Sequence, residues 1–269
     1  MLGPRLKYSS CWWAPEVADL AGAEDAMLEL TCARAGLADG MRILELGCGW
    51  GSLTLWMAQR YPGARITAVS NSASQREFIE RACRDRGLGN VTVHTGNVAE
   101  VDPGGPFDRI VSVEMFEHMR NWSALLTRMA GWLAPGGEVF LHVFCHHRWA
   151  YPFRTDRPGA WMARTFFTGG LMPAFDLPRR IPSPFAVTRA WAVDGRHYAR
   201  TADAWRRNLE ANRDAALEVL AWHHGRLGAE RAYHRWRVFH MACQELFGAG
   251  DGRVWHVGHY RLAPTGVAA

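Results

Sequence analysis

The sequence predicts an α/β fold built around a parallel sheet. Strand and helix signals alternate from residue 23 to residue 144, and a glycine-rich turn follows the first strand. Strands separated by helical stretches are joined by right-handed crossovers, which bring their carboxyl ends to one edge of the sheet.

Short runs rich in Ile, Val, Leu and Phe predict strands over Arg42–Leu46, Arg65–Ser70, Val91–Thr95, Phe107–Val113 and Glu138–Phe144. Apolar residues at helical spacing predict helices over Ala23–Ala35, Ser52–Arg60, Ser72–Arg86 and Trp122–Trp132. Asp39-Gly40, Pro62-Gly63 and Pro135-Gly136-Gly137 supply turns. Beyond residue 145 the rhythm changes. Tyr151 to Pro184 holds six of the 13 prolines together with Gly169-Gly170, and reads as an irregular insertion. A strand is expected over Ala186–Val193, a helix capped by Thr201 and running to about Leu220, a helix over Ala229–Phe247, and a last strand over Arg253–Leu262. We therefore expect one integrated domain in three segments. Residues 1–40 form an N-terminal segment and helix, 41–145 a ligand-binding core, and 146–269 helical cap insertions with the last two strands.

Bulk composition excludes several classes. No apolar run among the 269 residues approaches the roughly 20 that a membrane span needs. Residues Met1 to Lys7 carry no signal-peptide pattern, so a cytoplasmic enzyme is expected. The six cysteines contain no C-x-x-C pair, which argues for reduced thiols and no structural zinc. The net charge is +5, but arginine is dispersed and forms no basic stripe, so nucleic acid is not the expected partner. Eight of the 13 tryptophans lie from Trp132 to Trp255, pointing to an aromatic pocket in the second half. The sequence leaves the oligomeric state open, a homodimer included.

The turn Leu46-Gly47-Cys48-Gly49-Trp50-Gly51 narrows the ligand. Glycines at alternate positions permit positive φ and close backbone approach, and the helix behind the turn offers its N-terminal N–H groups. The spacing is not the G-x-G-x-x-G of dinucleotide sites. Glu45, two residues before the first glycine, repels a pyrophosphate but suits an ammonium. S-adenosylmethionine, with an amino acid tail and no phosphate, fits better than NAD.

The strand ending at Val113 delivers Glu114-Met115-Phe116-Glu117-His118 to the same sheet edge. Two carboxylates and an imidazole so close together are costly to bury without a purpose, and they can converge on one cavity. His142, Cys145, His146 and His147 form H-x-x-C-H-H. Their side chains alternate around a strand end, so no metal is expected, and one or two of these histidines line the pocket instead. Trp236 and Phe239, at i and i+3, lie on a presumed cap helix and are candidates for its aromatic lining.

Seven segments together resemble the coclaurine N-methyltransferase family, within the cyclopropane fatty acid synthase group of S-adenosylmethionine-dependent enzymes. They are Leu6-Lys7-Tyr8-Ser9, Leu46 to Gly51, Ser70-Asn71-Ser72-Ala73-Ser74-Gln75, Glu114 to Met119, Phe166-Phe167-Thr168-Gly169-Gly170, His197-Tyr198 and Glu245-Leu246-Phe247-Gly248. The resemblance spans nearly the whole chain and implies a seven-stranded, Rossmann-like class I methyltransferase sheet. It implies that Tyr8, Ser9, Gly47, Gly49, Asn71 and Gln75 contact the cofactor; Glu45, Asn97 and Val98 are the other expected cofactor-binding residues. The family has an acidic residue where Asn97 stands, which alters the expected adenosine contact. Plant members also carry a longer N-terminal segment. Cyclopropane synthases place glycine at position 114 and recruit bicarbonate as base; Glu114 fills that space with its own carboxylate, as in the alkaloid N-methyltransferases. Cys243 matches a cysteine of the cyclopropane branch, and no electropositive neighbour marks it as a thiolate, so we read it as a buried thiol.

The expected activity is therefore transfer of a methyl group to the nitrogen of a small-molecule amine, alkaloid-like and of tetrahydroisoquinoline type. Glu114 and His118 are the general bases, Glu117 orients His118 or holds the amine, and Phe144, Trp236 and Phe239 line the substrate pocket. An alkylamine with a pKa of about 10.4 is deprotonated at pH 7 at a cost of about 4–5 kcal/mol, which explains the need for a base and a desolvating pocket. The alternative on the same scaffold is methyl or methylene transfer to unsaturated phospholipid acyl chains. A third class, a non-catalytic cofactor sensor or RNA-binding module, is disfavoured by the acidic pair and the lack of a basic stripe.

Overall fold

A computed structural model of the chain describes residues 1–157 and 160–266. It resolves into two compact units, one of residues 28–193 and 257–269, the other of residues 1–27 and 194–256. The boundaries between these units fall after Met27, Val193 and His256.

The larger unit carries β1 (Arg42–Leu46), β2 (Arg65–Ser70), β3 (Val91–Thr95), β4 (Phe107–Val113) and β5 (Leu133–His146). A two-residue pair, β6 (Tyr151–Pro152) and β7 (Leu171–Met172), forms a separate ribbon, and β8 (Phe185–Val193) and β9 (Trp255–Pro264) complete the set. The main sheet has seven strands in the order β3-β2-β1-β4-β5-β9-β8. Strands β1 to β5 pair in parallel, and β8 pairs antiparallel to β9. Helices α1 (Leu20–Ala35), α2 (Ser52–Arg60), α3 (Ala73–Arg86) and α4 (Trp122–Trp132) follow the predicted alternation, with the short α5 (Trp161–Thr165) and α6 (Leu177–Arg180) inside the proline-rich stretch.

Strand β1 is buried on both faces, as a central parallel strand must be. Its alternate residues feed two cores. Leu44 and Leu46 pack with Ile110, Leu141 and the α4 residues Trp122, Leu125 and Met129. Ile43 packs with Leu53, Met57, Val111 and Phe140. Each such fully buried aliphatic side chain contributes about 1.5–3 kcal/mol relative to exposure.

The strand and helix bounds through residue 132 match expectation to within one residue, except that α1 begins three residues early. Pro135-Gly136-Gly137 does not interrupt the chain as a separate turn. Phe107 pairs with Leu133 and Arg109 with Glu138, so these residues form a bulge within β5, bent at Gly136 with φ 75°.

In the smaller unit, α7 (Gly195–Ala211) is capped by Asp194, whose Oδ1 accepts from Arg196 N at 2.8 Å. Thr201 is not the cap. Its hydroxyl lies inside the helix, donates to His197 O at 2.7 Å, and accepts from Cys11 N and Trp13 Nε1. α7 ends at Ala211, and α8 (Arg213–Gly248) follows with a break at Gly225, φ 67°. The expected gap between residues 220 and 229 is this break. Tyr198 stacks on Phe247 at 4.2 Å, and Arg206 bridges Asp203 and Glu210. Lys7, the sole lysine of the chain, is 3% exposed, with its ammonium donating to Ser9 Oγ and, at 2.7 Å, to Ser10 O.

Two glycines test this packing in opposite directions. A β-carbon at Gly195 would stand 2.1 Å from Trp255 O and 2.4 Å from Phe247 O, both backbone atoms. Gly195→Ala is expected to lower stability by roughly 1–3 kcal/mol, read from denaturant midpoints. Gly131, exposed on α4 with nothing near its β-position, should gain up to about 1 kcal/mol as alanine in the same measurement.

Candidate active site

The larger unit brings the glycine turn and the acidic segment to the carboxyl edge of neighbouring strands, β1 and β4. Gly47 has φ 81°, and a β-carbon there would collide with the Met115 side chain at 2.7 Å, so the turn and the acidic segment pack directly together. The N–H groups of Gly47 and Cys48 are not free, as expected from the turn, since both donate to Val69 O at 3.0 Å. Gly49, φ 54°, is the open position. Nothing lies within 4 Å of where its β-carbon would stand, which leaves the backbone accessible to a ligand.

Glu45 lies beneath this turn, 3% exposed, accepting from the Thr54 hydroxyl at 2.5 Å. Burial pushes its carboxyl up to about 7, opposed in part by that hydrogen bond. Such a buried acid, with no cationic partner among the described residues, fits an incoming ammonium. At the tip of β2, Ser70 Oγ donates to Gln75 Oε1 at 2.6 Å, and Ser72 caps α3. Asn71 is exposed beside them. Asn97 is also exposed; its Oδ1 accepts from Ala99 N at 3.0 Å, folding the loop into an Asx turn, while Val98 packs on the core. Open glycine backbone, exposed amide side chains and a buried acid together fit a cationic amino acid nucleoside.

The acidic segment divides into three environments. Glu114 has φ 47°, a left-handed conformation rare for a branched-off carboxylate side chain, held by its N–H donating to His142 O at 2.8 Å. Such strain costs about 1–3 kcal/mol and persists where surrounding structure enforces it. Its side chain is 7% exposed, with Oε1 3.1 Å from His142 Nε2. Glu117 is fully buried in the single turn Phe116–His118; Oε1 accepts from Phe144 N at 2.6 Å, and Oε2 has no hydrogen-bond partner among the described residues. Burial, then the charge of Glu114, raises its pKa well above the usual carboxylate range. Glu117 makes no hydrogen bond to His118 among the described residues. His118 is exposed on one side; the protein packed around the rest of the ring lowers its pKa, against the opposing charge of Glu114.

Phe144 is buried and joins Phe153 and Phe167, with ring centroids 6.5 and 5.9 Å away, while His118 stacks on Phe167 at 6.3 Å. Phe153 and Phe167 come from the stretch read as irregular, which hid their shared wall. The H-x-x-C-H-H residues serve separate purposes. His142 faces Glu114, Cys145 is buried beside Tyr260 with its thiol pKa raised by burial, and His146 Nδ1 accepts from Arg148 N and Trp149 N. His142 as the partner of Glu114 was not foreseen; pairing of Val113 with His142 is what joins them.

In the smaller unit, Ser9 is buried against Lys7, and Tyr8 is half exposed with its ring 5.3 Å from Trp205. Trp236 and Phe239 meet edge-to-face at 5.9 Å, both next to His240. Cys243 is buried one turn further along α8.

Residues 1–257 match the mycolic acid cyclopropane synthetase family. The chain is 36% identical over 263 residues to (S)-coclaurine N-methyltransferase of Thalictrum flavum subsp. glaucum, covering 96% of this chain and 73% of that protein. It is similar to the solved structure of coclaurine N-methyltransferase bound to N-methylheliamine and S-adenosylhomocysteine, with a TM-score of 0.93, 34% identity and coverage of 97% and 76%. Mycolic acid cyclopropane synthase, 24% identical with a TM-score of 0.81 over 97% of this chain and 91% of that one, shares the fold.

The state of Glu45 has a measurable signature. The unfolded chain releases this proton near 4.5 and the folded chain holds it to about 7, so native stability present below 4.5 is lost as pH rises between those values. Glu45→Gln keeps the acceptor for Thr54 and removes the titration. Its stability relative to wild type is expected to rise by up to about 3 kcal/mol between pH of about 4.5 and about 7.5, read from urea midpoints.

Proposed function

Because the chain belongs to the mycolic acid cyclopropane synthetase family and is an S-adenosylmethionine-dependent methyltransferase, we propose that its acceptor is the nitrogen of a small amine with an aromatic body. When bound, S-adenosylmethionine supplies an electrophilic methyl group on a sulfonium. Glu45, Gly47, Gly49, Asn71, Gln75, Asn97 and Val98 are the residues of the larger unit proposed to hold it. Tyr8 and Ser9, in the smaller unit, keep the assignment that the resemblance gave them.

The observation that carries this reading is Glu114, a carboxylate clasped at the tip of β4 in a strained backbone conformation. An amine arriving as an ammonium must lose a proton before its lone pair can react, at about 4–5 kcal/mol for a lysine-like pKa. Glu114 accepts that proton, and desolvation by Phe144, Phe153 and Phe167 lowers the amine pKa toward it. Glu117, whose ionisation is disfavoured by burial and by the charge of Glu114, has Oε2 without a hydrogen-bond partner among the described residues and is the group proposed to hold the amine. His118, exposed and adjacent, passes the proton to water. Relatives that methylate coclaurine and pavine nitrogen support a tetrahydroisoquinoline-type acceptor.

A panel of primary, secondary and tertiary amines, with and without unsaturated phospholipid and bicarbonate, should yield adenosylhomocysteine with a cyclic secondary amine alone. Glu114→Gln is expected to lower kcat by about 10²–10⁴-fold, with cofactor affinity measured by calorimetry unchanged. Turnover confined to the phospholipid and bicarbonate arm would overturn the reading.

A further inference from the structure

Behind Glu114 lies a line of hydrogen bonds that crosses three strands of the sheet. Glu114 Oε1 is 3.1 Å from His142 Nε2 on β5, His142 Nδ1 is 2.9 Å from His259 Nε2 on β9, and His259 Nδ1 is 2.8 Å from Arg34 Nη1 on α1. Both histidines are fully buried. All four residues belong to the larger unit.

Arginine decides the direction of the whole line. A guanidinium has only donors, so His259 Nδ1 must accept, and its ring hydrogen sits on Nε2. That hydrogen points at His142 Nδ1, which must accept in turn, leaving the hydrogen of His142 on Nε2. His142 then donates to Glu114. A protonated imidazole at either position would set two donors face to face at under 3 Å, so both rings are neutral. The guanidinium is held in place by stacking over Trp191 at 5.1 Å and makes no ion pair among the described residues. Its charge therefore faces the imidazole chain, with the Glu114 carboxylate as the anion at the far end.

We propose that Arg34, His259 and His142 are positioning residues that fix Glu114 as a hydrogen-bond acceptor and hold its carboxylate where the reaction needs a base. The proposal rests on the reading of Glu114 as that base. It carries a further consequence. A proton taken up by Glu114 cannot leave along this line, because His142 Nε2 already carries one, so it departs on the His118 side.

The test compares side chains that keep the direction of the line with side chains that break it. Arg34→Lys keeps a pure donor, and His259→Gln keeps one acceptor and one donor in sequence. Arg34→Met and His259→Leu keep bulk alone. Misplacing a base by about 1 Å costs on the order of 10²-fold, so Arg34→Met and His259→Leu should lower kcat by that factor with KM nearly unchanged, and the conservative variants should recover most of it. Nitrogen-15 NMR of the wild-type protein should report both imidazoles as neutral Nε2–H tautomers, lost in Arg34→Met. Wild-type kcat in both breaking variants, a Gln variant as poor as Leu, or an Nδ1–H tautomer or imidazolium at His142 or His259 would overturn the proposal. Full activity in Glu114→Gln beside the expected tautomers would instead locate the failure in the reading of Glu114 as base.

Discussion

The site depends on a double clasp between Glu114 and His142. The backbone N–H of Glu114 donates to the carbonyl of His142, and the imidazole of the same residue donates to the carboxylate. One residue on β5 therefore fixes both the main chain and the side chain of the first residue beyond β4. The left-handed backbone is held there by His142, which sits opposite Val113 in the register and contacts both the main chain and the side chain of Glu114.

From this clasp follows the separation of the two carboxyl groups. Glu114 has an imidazole donor and a route to solvent, whereas Glu117, three residues on, has one backbone donor and no exposure. The first charge makes the second harder to form. Environment alone thus separates two chemically identical groups, since burial and the neighbouring charge of Glu114 raise the pKa of Glu117. Gly170 reinforces the arrangement: a β-carbon there would stand 2.5 Å from the carbonyl of Glu117, so the Gly169-Gly170 loop presses on the segment from outside.

Much of the fold was legible because the parallel core obeys simple periodicity. Ile43 and Leu44 alternate between two cores, and the turn glycines carry the positive φ that their spacing implied. The acidic segment was legible because charges at a strand end are conspicuous. The partners of Glu114 were not. His142, His259 and Arg34 are separated by more than 100 residues in sequence and meet only through strand order β4-β5-β9, which composition does not encode. Thr201 misled for a local reason: a threonine suits a cap, but Asp194 seven residues earlier supplies a better one, and the hydroxyl found partners in Cys11 and Trp13 instead. The α7–α8 boundary had no glycine or proline to announce it, since Asn212 alone separates the helices.

The burial of Lys7 has a consequence outside catalysis. With 31 basic side chains of which one is lysine, and that one sealed against Ser9 and Ser10, the described surface displays guanidinium groups and no lysine ammonium. Reagents and enzymes specific for the lysine ammonium, including those that attach acetyl or ubiquitin groups, find no exposed lysine side chain to modify.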